Sequence, residues 1–358
     1  MPRQLHYDRT LCLTVIGLTF FGLMMVFSVT TADADPSLRY ILKQSVAAAI
    51  GLFLMRLLMF ADYHEWRNQR VVFMAVGAAI ILLIAAFAIG TGANTSRFLR
   101  FGWISFQPSE AAKLSLILFL AYHLEVYGDR LEELRSLGGG LLVLGALCLL
   151  VFGGRDLGTA ISMCVIAAAA LFAAGLDLRF FLLGGALATP LVGLAVFFES
   201  YRFQRLMMFL NPESDPQGAG FQIIQSKIAV GSGGWFGEGL MLGRQKLRFL
   251  PEAHTDFIFA VIGEEIGLIG CLLVVAAFCL LLWRGVRTAV RAPDAFGRYL
   301  AIGATAMIVC QAMINMGVVL AMLPTKGMPL PFISYGGTAM ITSLAAAGIL
   351  LNVSQYSE

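Results

Sequence analysis

Residues 71–90 read Val71-Val72-Phe73-Met74-Ala75-Val76-Gly77-Ala78-Ala79-Ile80-Ile81-Leu82-Leu83-Ile84-Ala85-Ala86-Phe87-Ala88-Ile89-Gly90, without one charged side chain. As a helix rising 1.5 Å per residue, such a run covers about 30 Å, the hydrocarbon thickness of a bilayer. Comparable runs occupy 10–30, 40–60, 109–127, 137–152, 159–176, 179–198, 257–283, 299–323 and 332–352. The expected architecture is therefore an all-α polytopic membrane protein of about ten spans, a single integral membrane domain over residues 1–358. The run at 137–152 is the shortest, and a re-entrant segment would give the same pattern; losing it would invert everything downstream. Composition agrees, because 59% of the 358 residues are apolar and 13% charged, against roughly 25% charged in soluble domains.

The first run is longer than a signal-peptide core, lacks a clear small-residue cleavage site and is followed by more spans, so it reads as a retained helix. The six cysteines all fall within apolar runs without ligand-like clustering, which supports neither a disulfide framework nor a metal cage. The net charge of +3 is dispersed over loops and gives no nucleic-acid footprint.

Basic residues in short loops set orientation. Arg284, Arg287, Arg291 and Arg298 form a tight group between spans eight and nine, which places both termini in the cytoplasm. The longest loop, 199–257, between spans seven and eight, then faces outward, and its length predicts internal structure. Phe221–Val230 reads as a short helix at the membrane edge. The glycines between 231 and 237 let backbone approach backbone or ligand. Arg244, Lys246 and Arg248 bring cations to the bilayer surface, their bland reading being a lipid-contacting or solvated face. Glu252 and Asp256 would share a helical face if a helix begins at Pro251; His254 would point elsewhere.

Two further polar clusters lie on that side. In Arg97-Phe98-Leu99-Arg100 through Phe106-Gln107-Pro108-Ser109-Glu110-Ala111-Ala112-Lys113, Pro108 is placed to open span four, and Glu110 and Lys113 fall three apart. Ionised groups inside hydrocarbon usually face a cavity or each other, so these two are candidate site residues or a structural ion pair. Pro324-Thr325-Lys326-Gly327-Met328-Pro329-Leu330-Pro331-Phe332-Ile333-Ser334-Tyr335-Gly336-Gly337-Thr338 suits the wall of a polar cavity better than a lipid-facing helix. Gly154-Arg155-Asp156 adds another charge pair.

From about Arg9 to Asn352 the chain resembles the SEDS family of shape, elongation, division and sporulation proteins. The motifs that carry the resemblance are Phe106-Gln107-Pro108-Ser109-Glu110 with Lys113, Gly231-Ser232-Gly233-Gly234, Phe249 to Phe259, Gly263-Glu264-Glu265, and Pro331 to Gly337. Pro251-Glu252-Ala253-His254-Thr255-Asp256 and Pro324-Thr325-Lys326-Gly327 look more like the cell-division member than the rod-elongation member. Arg155 and Thr338-Ala339 depart from the family pattern.

The resemblance implies a peptidoglycan polymerase of the bacterial cytoplasmic membrane, acting at the septum. Its substrates would be lipid II and the nascent glycan, joined by inverting glycosyl transfer with release of undecaprenyl pyrophosphate. Asp256 is the expected general base. Arg97, Arg100, Lys113, Glu110, Arg244, Lys246, Arg248, Glu252, Lys326 and Ser334 are expected around the substrate. Expected partners are a class B penicillin-binding protein with transpeptidase activity, other divisome proteins and membrane lipid. No cofactor is implied; whether a divalent cation helps to neutralise the pyrophosphate stays open. A lipid II flippase, or a non-catalytic scaffold that activates a transpeptidase, are the alternative functions.

Overall fold

The computed structural model describes residues 7–30, 39–89, 97–101, 104–131, 133–216, 218, 220–246 and 249–357. Its helices, in chain order, are α1 (Arg9–Thr30), α2 (Arg39–Phe60), the single turn α3 (Tyr63–Trp66), α4 (Gln69–Ile89), α5 (Pro108–Tyr127), α6 (Leu134–Gly153), α7 (Leu157–Ala173), α8 (Leu178–Phe197), α9 (Ser200–Leu210), α10 (Phe221–Ser232), α11 (Ile258–Arg291), α12 (Ala295–Val319) and α13 (Gly337–Ser354). One departure from all-α is a small antiparallel hairpin, β1 (Leu99–Phe101) with β2 (Ile104–Phe106), in which Arg100 lies opposite Ser105.

Among the described residues, 8 helices are long and apolar enough to cross a membrane. The other two expected spans are also helical, but α5 carries Glu110, Lys113 and Glu125, and α7 has only 17 residues. Length and apolarity thus establish a polytopic membrane protein without establishing the full expected count. The region 137–152 is helical throughout. The largest boundary differences are three: α11 runs on to Arg291 beyond the expected 283, α12 starts and ends four residues ahead of the expected 299–323, and the expected 332–352 begins as turns, with α13 starting at Gly337.

The core is built on α12 and α13, which are buried along most of their length. Small residues allow the close approach: a Cβ on Gly348 would sit 2.6 Å from the Met55 carbonyl oxygen of α2, and one on Gly303 would sit 2.7 Å from the Ile117 side chain of α5. Intramembrane interfaces are enriched in small residues because backbone proximity replaces the hydrophobic drive that lipid cannot supply. At the other extreme α8 buries none of its residues and packs chiefly against α9.

α11 is broken. Gly267 has φ 76° and ψ −166°, so the helix splits after Ile266. The segment following α10 closes the break: Glu238 N donates to the Glu264 carbonyl (2.9 Å), Gly239 N to Glu265 (3.0 Å), and Leu268 N to Gly234 (2.9 Å). Non-helical backbone at membrane depth survives only when protein satisfies its polar groups. Glycine is required here, since a Cβ on Gly237 would lie 2.2 Å from the Glu265 carbonyl oxygen and one on Gly267 2.4 Å from Gly237 N. No helix begins at Pro251, so the condition for Glu252 and Asp256 to share a helical face is not met: 251–257 are turns, Glu252 has φ 56°, and α11 begins at Ile258.

Candidate active site

A cavity of about 790 Å³ opens where α5, α7 and α11 begin and α8 ends. Its floor is set by helix starts. Pro108 occupies the first turn of α5, as its spacing predicted. Asp156 caps α7, accepting from Thr159 N (3.1 Å) and Thr159 Oγ1 (2.9 Å), and it also takes Gln107 Nε2 (2.8 Å) and Ser109 Oγ (3.1 Å) from α5 and its approach. This buried carboxylate is therefore a strut between two helix N-termini. The Pro324–Thr338 segment forms the facing wall.

Asp256 lies on the last turn before α11, at the cavity. Its carbonyl accepts from Asn315 Nδ2 of α12 (2.8 Å), which also donates to the Met328 carbonyl (2.7 Å). One buried amide thus fixes the Asp256 turn against the facing wall. Gly327 leaves room for the carboxylate: a Cβ there would stand 3.1 Å from Oδ2. Burial raises the Asp256 pKa to about 7; nearby Glu252 adds to the shift, while Arg97 and Arg205 oppose it.

Positive charge enters from several elements. Arg97, Arg155, Arg202, Arg205 and Lys326 line the cavity. Arg155 follows α6 in the left-handed region, φ 62°, and its guanidinium is 3.8 Å from Glu199. Arg202 lies over Phe152 and donates to the Ala195 carbonyl; Arg205 lies over Tyr201 and donates to the Thr325 carbonyl (3.1 Å). Arg97 Nε is buried and has no hydrogen-bond partner among the described residues. Burial lowers the Lys326 pKa, with Asp156 pulling the other way.

Of the residues expected at the site, Asp256, Arg97, Glu110, Glu252 and Lys326 line this cavity. Lys113 does not. It is 1% exposed, its Nζ 2.8 Å from Glu110 Oε1 and 2.7 Å from Gln311 Oε1, and Gln311 in turn donates to the Pro329 carbonyl. An ammonium so deep must be paired, and this one braces the wall from behind. Ser334 is likewise turned away: its Oγ accepts from Leu330 N within its own turn. Lys246 is drawn into the interior by Glu265 (2.6 Å) and Ser28 (3.0 Å). Arg244 and Arg100 are exposed outside the cavity lining, and Arg248 lies outside the described residues.

Arg202 and Arg205 were missed as site residues, although two arginines three apart beside Tyr201, on a short helix with one basic face, were legible as a signal. Asn315 and Gln311 left no such mark, being single amides inside an apolar helix.

Relatives match over nearly the whole chain. The probable peptidoglycan glycosyltransferase FtsW of Geobacter sp. (strain M18) is 42% identical over 99% of this chain and 98% of its own length. Stage V sporulation protein E of Bacillus subtilis (strain 168) is 40% identical over 97% of this chain and 98% of its own length. Among solved structures, a chain from a peptidoglycan synthase complex coordinating polymerization and crosslinking has a TM-score of 0.81 at 30% identity, covering 99% of this chain and 100% of that one. The Rod shape determining protein RodA of Thermus thermophilus has a TM-score of 0.74 at 28% identity, covering 99% of each chain. The FtsW, RodA and SpoVE profile, described as a cell cycle protein, matches residues 8–358. By fold, by sequence over its full described length, and by that profile, the chain belongs to the FtsW/RodA/SpoVE family.

Proposed function

We propose that this protein polymerises glycan strands from lipid II at the outer face of the cytoplasmic membrane, with Asp256 as general base. Peptidoglycan glycosyl transfer follows from the family and its 40–43% identical relatives. The reaction details are our reading of the site. The observation that carries it is the Asp256 carboxylate, its pKa raised by burial, inside a cavity lined by Arg97, Arg155, Arg202, Arg205 and Lys326.

In this mechanism the 4-hydroxyl of the incoming lipid II sugar attacks the anomeric carbon at the reducing end of the growing strand. As that C–O bond forms, the hydroxyl proton passes to Asp256 and the anomeric bond to phosphate breaks on the opposite face, inverting the configuration. Undecaprenyl pyrophosphate leaves carrying the released electron pair. An alcohol becomes an effective nucleophile only as its proton is taken, and a base works best with a pKa near the working pH. Arg97, Arg155, Arg202, Arg205 and Lys326 supply the charge that stabilises the departing pyrophosphate. Arginine forks suit paired phosphate oxygens better than lysine point charges do.

On our reading of ten spans with both termini in the cytoplasm, this cavity lies on the outer side. A class B penicillin-binding protein is the partner we infer, supported by a structural relative that works within a synthase complex. The test is reconstitution of purified protein, with and without a cognate transpeptidase, with fluorescent lipid II. Polymeric glycan and stoichiometric undecaprenyl pyrophosphate are expected; translocation of lipid II across the bilayer without any polymer would replace polymerisation by transport.

A further inference from the structure

A second cavity, of about 200 Å³, lies at the far end of α11 from Asp256 and is built from three separate chain segments. Arg284, Arg287 and Arg291 come from the last two turns of α11, at spacings of three and four that put them on one face. Asp8 enters at the start of α1, and Ser354 and Ser357 at the end of α13.

Asp8 is already fully engaged. Its Oδ1 caps α1 by accepting from Leu11 N (3.0 Å), and its Oδ2 pairs with Arg284 Nε (2.5 Å). The Asp8 amide in turn donates to Ser354 Oγ (3.2 Å), which locks the three segments together. Among the described lining residues three guanidiniums stand against the one carboxylate of Asp8, and Arg287 and Arg291 form no ion pair among the described residues. The cavity also has room, since a water occupies about 30 Å³ of liquid.

Topology alone accounts for basic residues on this side of the membrane, but it does not require them to converge on a cavity. Trp283 stands beside it, 56% exposed, with the guanidiniums of Arg284 and Arg287 at 5.4 and 5.8 Å from its ring. A tryptophan so placed marks the boundary between acyl chains and head groups, and basic pockets between helices at that depth hold lipid phosphate.

We infer that Arg287 and Arg291 form a binding site for a phosphate oxyanion, supplied by the phosphodiester of an anionic membrane lipid whose chains lie against Trp283. This site is at the opposite membrane edge from the glycan cavity and does not depend on the polymerase reading.

Native mass spectrometry of the full-length protein, released from nanodiscs of mixed phosphatidylglycerol and phosphatidylcholine, tests it. The wild type is expected to retain phosphatidylglycerol selectively. Arg287→Gln/Arg291→Gln should lower that retention roughly tenfold or more, as expected when two basic residues are removed from an anionic head group. If the double variant does not fold, Arg291→Gln alone, at an exposed position, should lower retention severalfold. Equal retention by wild type and variant, or no preference between the two lipids, overturns the site. Displacement of the lipid by millimolar inorganic phosphate overturns the lipid source and assigns the same arginines to a soluble anion.

Discussion

Asp256 stands between opposed influences. Burial and Glu252 favour its protonated form, while Arg97 and Arg205 favour the carboxylate, and the balance settles at about 7. A general base acts only when ionised, so turnover should fall as pH drops through 7 and level off above it. Removing a neighbour should move that limb predictably: Arg205→Gln takes away a stabilising cation and shifts it to higher pH, while Glu252→Gln takes away a repelling anion and shifts it lower. Initial rates of glycan synthesis between about pH 5 and 9 read both shifts, and shifts in the same direction would contradict the assignment. Lys113 makes the contrast. Lys113→Met leaves Glu110 buried without its cation and should cost about 3–5 kcal/mol, whereas Glu110→Gln/Lys113→Met should recover most of that loss. Thermal unfolding in detergent measures both. It was the family motif that singled out Asp256, which the structure brings to the cavity, whereas Lys113, expected around the substrate by the same resemblance, meets Gln311 and Glu110 inside the protein, the structural ion pair that its spacing equally allowed.

The break in α11 is a requirement of the fold, and the amide of α12 holds the site in place. Gly267 is irreplaceable by the packing around it, so Gly267→Ala should prevent accumulation of folded protein. Gly77→Ala, in α4 with nothing within 4 Å of the added methyl, should be silent or slightly stabilising; expression and monodispersity compare the pair. Asn315→Ala deletes two buried hydrogen bonds, orphaning the Asp256 and Met328 carbonyls, and should destabilise by about 1–3 kcal/mol per unsatisfied group. It should also depress turnover by loosening the turn that carries Asp256. The glycine run at 231–237 announced a close backbone approach from sequence alone. What it approaches, a gap in a helix some thirty residues later, depends on tertiary pairing that no local pattern encodes. Whether a helix begins at Pro251 is open in the sequence for a related reason: Pro251 is acceptable at a helix start, but Glu252 adopts the left-handed region and 251–257 form turns instead.

Seen whole, the molecule is a core of α12 and α13 wrapped by lipid-facing helices, with charge admitted at both membrane edges. Apolar run length made the polytopic fold legible because the bilayer imposes it on every span. The tilts, the break and the cavity lining come from helix–helix contacts, which hydropathy does not specify. The topology we propose, with residues 199–257 facing outward, predicts that Ser214→Cys reacts with a membrane-impermeant maleimide in intact cells, while Arg298→Cys reacts only after permeabilisation. The native cysteines, lying within helices α1, α6, α7, α11 and α12, should contribute little background. Most direct of all is a comparison of wild type and Asp256→Asn, purified side by side and given lipid II. Glycan strands from the wild type, and a loss of about a hundredfold or more in the variant with lipid II binding retained, are the expected result; equal polymer from both would show that the proton goes elsewhere.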